Sequence, residues 1–118
     1  MAALALAAAP APARAVDPDE ELRIHLALSS RPHGTKHERE ALRDLEYELA
    51  ARLAAAGAGE IVRDAWPAGW CVIWISTRDA GAALAIAREA LLAYRPRQGS
   101  FLVLRRGGPG TPEEKVPL

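Results

Sequence analysis

The stretch Arg31–Glu40, RPHGTKHERE, concentrates groups that could hold a metal or move a proton. His33 and His37 stand four residues apart, with Glu38 and Glu40 just beyond. Histidines at i and i+4 of one helix share a face and can bind zinc. Here, however, the helix is expected to begin between them. Thr35 to Glu38 has the form of a capping box, in which Thr35 accepts from first-turn amides and Glu38 reaches back. That starts the helix near Lys36, leaving His33 in the entry loop and His37 in the first turn. The expectation is therefore a helix entry with surface histidines, with no metal site and no cofactor.

Other reactive side chains are few. Cys71 is the only cysteine, which excludes an intramolecular disulfide and a cysteine-based zinc cluster. It lies in the apolar run WCVIWIST and is expected to point inward as an inert packing thiol. His25 is the best lone candidate for an acid/base or ligand role, although a half-exposed strand histidine is the simpler account of it. No glycine-rich phosphate loop, paired catalytic carboxylates or nucleophile elbow is evident. Arg105-Arg106-Gly107-Gly108 could meet an anion but reads as the end of a strand.

The elements that must position these residues follow from periodicity. Glu20–Ser29 alternates Leu22, Ile24, Leu26 and Leu28 with Arg23, His25, Ala27 and Ser29, which marks a strand with one buried face. From Lys36, a stripe of Leu42, Leu45, Leu49, Leu53 and Ala56 marks a helix, and Gly57 suits its left-handed C-cap. Arg39, Glu40, Arg43, Asp44, Glu46, Glu48 and Arg52 are read as its solvated face. Gly59–Trp66 reads as a second strand, Pro67-Ala68-Gly69 as a hairpin breaker and Trp70–Thr77 as a central strand. A second helix is expected from Ala80 to Tyr94, packing through Leu84, Ala87, Leu91 and Tyr94 and stopped by Pro96. Ser100–Arg105 is the fourth strand.

This order predicts an α+β, ferredoxin-like βαββαβ sandwich. Its four-stranded antiparallel sheet has the first and third strands central and both helices on one face. The folded domain is expected over residues 19–108, with a polar C-terminal tail over residues 109–118. Residues 1–18 are rich in alanine and proline and read either as a disordered leader or as a signal-like segment with a small-x-small site ending at Ala15. The first of these places the chain in the cytoplasm, the second in the periplasm or outside the cell.

Alternation assigns Cys71, Ile73, Ile75, Leu102 and Leu104 to the helix side with the leucines of the first strand. The opposite face then carries Arg23, His25, Trp70, Trp74 and Phe101, with Val72 and Val103. These five aromatic and basic residues are the candidate binding site. Bare, they would form an apolar patch larger than monomers usually expose. A homodimer or a protein partner is the expected cover.

The charge balance weighs against nucleic acid. Lys plus Arg number 15 and Asp plus Glu number 15 in the 118 residues, whereas nucleic-acid binders usually carry a basic surplus. Gly69–Ile75 loosely resembles the third-strand motif of RNA-recognition domains. Ala68 departs from the basic residue expected there, Val72 from the second stacking aromatic, and the first strand offers Arg23 and His25 in place of an aromatic. No apolar run is long enough for a membrane span.

The pattern GT-x2-ERE-x-L-x2-LE-x-EL-x3-L-x2-AG-x-GE, Gly34–Glu60, resembles a family of small bacterial βαββαβ proteins with no assigned activity. So do the helix start at Asp79 and the closing PEEKVPL. The resemblance covers most of residues 20–118 and implies the same fold. The family's second hairpin is glycine-rich and acidic, whereas here it reads IVRDAWPAGW, so no site residue carries over. The function expected is a small non-enzymatic binding or regulatory module acting through its sheet face. The alternatives are an enzyme with a pocket between two facing sheets around His25, Trp70 and Trp74, and an RNA-binding domain.

Overall fold

The computed structural model describes residues 20–29 and 32–118; the leader expected over residues 1–18 lies outside them. The described chain runs β1 (Glu20–Ala27), α1 (Lys36–Ala56), β2 (Glu60–Ala65), β3 (Trp70–Thr77), α2 (Ala80–Tyr94), β4 (Phe101–Arg105) and β5 (Glu113–Pro117). Among the described residues these strands form one antiparallel sheet in the order β2-β3-β1-β4-β5. Both helices pack on one face, so the architecture is α+β and broadly ferredoxin-like, with β1 and β3 inside the sheet as expected.

The expected count of four strands is corrected to five. The segment read as a polar tail pairs with β4, from Phe101 opposite Pro117 to Arg105 opposite Glu113. Charge on this strand is tolerated because it sits at an edge, where only one side of the backbone needs partners. Val116 pairs with Leu102 and packs against the core, while Glu113 and Lys115 fall on the other face. The tail thus widens the sheet sideways and does not cover it.

The core lies between sheet and helices. Leu22, Ile24, Leu26, Cys71, Ile73, Ile75, Leu102 and Leu104 are fully buried, as alternation requires. Helix α1 adds Leu42, Leu45, Leu49 and Leu53. Ala56, expected in that stripe, is exposed, so the buried stripe ends at Leu53. Helix α2 buries Ala80, Ala83, Ala87, Ala90 and Leu91, whereas Leu84 and Tyr94 are only partly covered. Small alanines let its backbone approach the sheet closely, so the larger residues lie at the margins of the contact.

Polar pins hold the layers in register. Thr35 Oγ1 accepts from Glu38 N at 3.1 Å, and Glu38 Oε1 accepts from Thr35 N at 3.0 Å. Ser29 donates to the same carboxylate from N at 2.9 Å and from Oγ at 2.6 Å, tying the chain after β1 to the start of α1. Burial alone would raise the Glu38 carboxyl, but these bonds, with Arg97 nearby, outweigh it and hold it below its ordinary range. Thr77, almost fully buried, donates to Ala58 O at 2.6 Å and accepts from Asp79 N at 2.9 Å. At the hairpin tip, Gly69 N donates to Pro32 O at 2.8 Å and Leu28 N donates to Gly69 O at 2.9 Å.

Two glycines near the end of α1 are constrained differently. Gly57 has φ 61° and open space around it, whereas a Cβ at Gly59, with φ 141°, would come within 2.5 Å of Ser76 O. Gly57→Ala should cost about 1–2 kcal/mol from left-handed strain alone. Gly59→Ala should cost more, about 3 kcal/mol or above, because strain adds to a backbone clash. Urea unfolding midpoints of the two variants test this order.

Candidate functional site

Cross-strand pairing builds the outer sheet face in rows. One row runs Arg63, Trp74, Arg23, Val103, Lys115, and the next runs Ala65, Val72, His25, Phe101, Pro117. A bulge between Ile61 and Arg63 sends Ile61 toward the core and still places Arg63 outside. Trp70 stands opposite Ala27 at the next position. All five expected site residues, Arg23, His25, Trp70, Trp74 and Phe101, therefore lie on this face.

Their contacts divide them into two groups. His25 stacks on Phe101 with ring centres 4.4 Å apart and planes 10° apart. Trp70 meets both rings edge-on, at 6.2 Å from His25 and 5.7 Å from Phe101. Lys115 Nζ lies 4.3 Å from the Phe101 ring centre. His25 gathers with Trp70 and not with Trp74, because it pairs with Val72 while Trp74 pairs with Arg23. Trp74 is instead covered by the Arg63 guanidinium, 3.9 Å from its ring centre. The expected bare patch is thus only partly bare. Val72 and Val103, on the same face, are only 4% and 9% exposed, although among the described residues no helix or strand packs over this face.

Arg23 is the electrostatic hub of the face. It donates to both Glu113 oxygens at 3.0 Å and to Glu21 at 3.1 Å. The hydrogen bonds to Glu113 raise the guanidinium's pKa, and the same pair lowers that of Glu113. His25 titrates below its ordinary range, first through burial and then through the charges of Arg23 and Lys115. A neutral imidazole suits its stack on Phe101.

His33, in the entry loop, and His37, in the first turn of α1, line different clefts. His33 lines a cleft at the β2 edge, whereas His37 lines the groove between the helices. Among the described residues no three His, Cys, Asp or Glu side chains come together as metal ligands. Cys71 is fully buried, and its thiol is pushed up to about 12, first by burial and then by Glu46 and Asp64. That fits the expected inert packing role.

The β2-edge cleft holds a feature that the sequence reading missed. It measures about 460 Å³ and is lined by His33, Arg39, Arg43, Glu46, Asp64 and Trp66. Glu46 was expected on the solvated face of α1. It is half-buried and hydrogen-bonded to Asp64, and its carboxyl is pushed up to about 8 by burial and by that neighbour, against the pull of Arg43. A proton on Glu46 relieves the repulsion between the two neighbouring carboxyls. The available signal was positional: Glu46 is four residues from Leu42 and three from Leu49, at the margin of the buried stripe. Asp64 reaches the helix side because it pairs with Ile73, beyond the bulge. No family model, curated protein or solved structure matches the chain.

The Glu46 pair makes a definite pH prediction. A carboxyl held near 8 when folded and near 4.5 when unfolded keeps its proton in the native state after the unfolded chain has lost its own. Stability must therefore fall as pH rises from about 5 to 8, and this loss is absent at lower pH, where both states are protonated. Glu46→Gln should match the wild type near the acid end and exceed it by about 1 kcal/mol near pH 8, allowing for solvent screening. Urea denaturation at a series of pH values measures the difference.

Proposed function

We propose that the chain is a binding module whose outer sheet face docks a second copy of itself. The observation that carries this reading is the tier of His25, Trp70 and Phe101 beside Trp74, lying over Val72 and Val103 with no layer of the described fold above it. Half-buried rings in a rigid sheet keep much of their apolar area for a partner and lose little side-chain entropy on docking.

A second copy suits the charges of the face. Glu21, Glu60 and Glu113 fall in one row with Arg105, and the next row carries Arg63, Arg23 and Lys115. Carboxylates and cations nearly balance, so two copies related by a two-fold axis meet without strong repulsion, and a two-fold dimer is the commonest closed assembly. The same balance disfavours RNA. Arg23 is already committed to Glu113 and Glu21, and cations stand over Phe101 and Trp74, where bases would have to stack. This reading is compatible with the resemblance to small bacterial βαββαβ proteins, which brings no activity of its own. Among the described residues no helix is long and apolar enough to cross a membrane.

Trp74→Glu tests the proposal, because the new carboxylate would lie between Arg63 and Arg23 and the monomer can accommodate it. The variant should keep its far-UV circular dichroism and lose association by at least about tenfold in size-exclusion and sedimentation experiments, about 1.4 kcal/mol. A wild type that stays monomeric at high concentration would overturn self-association. So would a variant that dimerises like the wild type.

A further inference from the structure

The cleft between α1 and β2 is separate from the outer sheet face and stands or falls independently of it. Arg39, Arg43 and Glu46 come from one strip of α1, at i, i+4 and i+7, and Asp64 faces them from β2. Trp66, partly buried against the core, forms an aromatic wall, and His33 lies at the entry loop. Arg39 is anchored, donating from Nη1 to Gly34 O at 3.0 Å. The volume of about 460 Å³ is that of a small-molecule site.

The lining charges select the ligand. A simple anion would meet the Glu46–Asp64 pair, and a simple amine would meet two guanidiniums. A divalent metal would find no third ligand grouped with the two carboxylates among the described residues, and Arg43 beside them. A molecule carrying both charges a short distance apart satisfies both ends, because Arg43 and Glu46 are i,i+3 neighbours, whose Cβ atoms lie about 5–6 Å apart. Two carboxyls held against each other are costly to ionise, and an ammonium between them removes that cost. We propose that this cleft binds a zwitterion of the α-amino-acid class, its ammonium between Glu46 and Asp64 and its carboxylate on Arg43 and Arg39. The ligand's side chain packs against Trp66, which favours an aromatic one.

Binding has a proton signature. An ammonium seated beside Glu46 favours its ionised form, so the proton that burial and the neighbouring Asp64 hold on Glu46 leaves as the ligand enters. Isothermal titration of the full chain with L-phenylalanine at neutral pH, in phosphate and in Tris, reads both affinity and proton release. The expected result is a Kd of about 1 mM or tighter, with apparent enthalpies that differ between buffers as proton release demands. 3-Phenylpropionate lacks the ammonium and phenethylamine lacks the carboxylate, and each should bind at least about tenfold more weakly. Glu46→Gln and the surface change Arg43→Gln should each weaken L-phenylalanine by a similar factor while the circular dichroism spectrum is retained. Absence of L-phenylalanine binding at millimolar concentration would overturn the proposal. Either single-charge analogue binding as well as the amino acid, or binding indifferent to both variants, would do the same.

Discussion

The antiparallel register between β1 and β3 is the constraint on which both faces of this protein depend. Leu22 meets Ile75, Ile24 meets Ile73 and Leu26 meets Cys71 on one side; Arg23 meets Trp74 and His25 meets Val72 on the other. Side chains alternate with a period of two, so a slip of one residue would send the leucines into solvent and Arg23 and His25 into the core. Burying a bare guanidinium there would cost several kcal/mol. The core therefore enforces the arrangement of the outer face, although none of the outer residues contributes to that core.

The helices hold this register from one side only. α1 supplies a leucine stripe and α2 an alanine surface, and hydrogen-bonded side chains close the gaps at their ends. Among the described residues no buried side-chain polar atom is left without a partner. Glu38 and Thr77 share this task at opposite ends of the sheet. Each satisfies several groups at once, and each joins a strand end to a helix terminus or its neighbouring turn. Glu46 is different in kind. Its pairing with Asp64 opposes stability at neutral pH, and such tension is commonly found where a protein binds something.

The parts of the fold with a clean period were legible in the sequence. β1 declared its faces through Leu22, Ile24 and Leu26 in alternation, the capping box placed the start of α1 at Lys36, and an apolar stripe stopped by Pro96 gave α2 from Ala80 to Tyr94. β5 was not legible because Pro112 and Pro117 flank a segment rich in charge, and its pairing depends on β4, which is distant from any local signal. Alternation placed Arg23, His25, Trp70, Trp74 and Phe101 on one face, but it could not give their grouping. Which ring meets His25 depends on strand register, and how far Trp74 and Phe101 are covered depends on how Arg63 and Lys115 lie across them. The Glu46–Asp64 pair needed both a helix margin and a bulged strand to be known together, and neither alone distinguishes it from surface charge.

If the outer sheet face is an interface between two copies, then protons on its rings must lie within a few ångströms of protons on the other copy. Isotope-filtered NOE spectroscopy on a mixture of labelled and unlabelled chain tests this most directly. The account predicts intermolecular cross-peaks among the half-exposed Trp70, Trp74 and Phe101 rings of the two copies. Cross-peaks confined to the helix side, or none at concentrations where the chain sediments as a dimer, would contradict it.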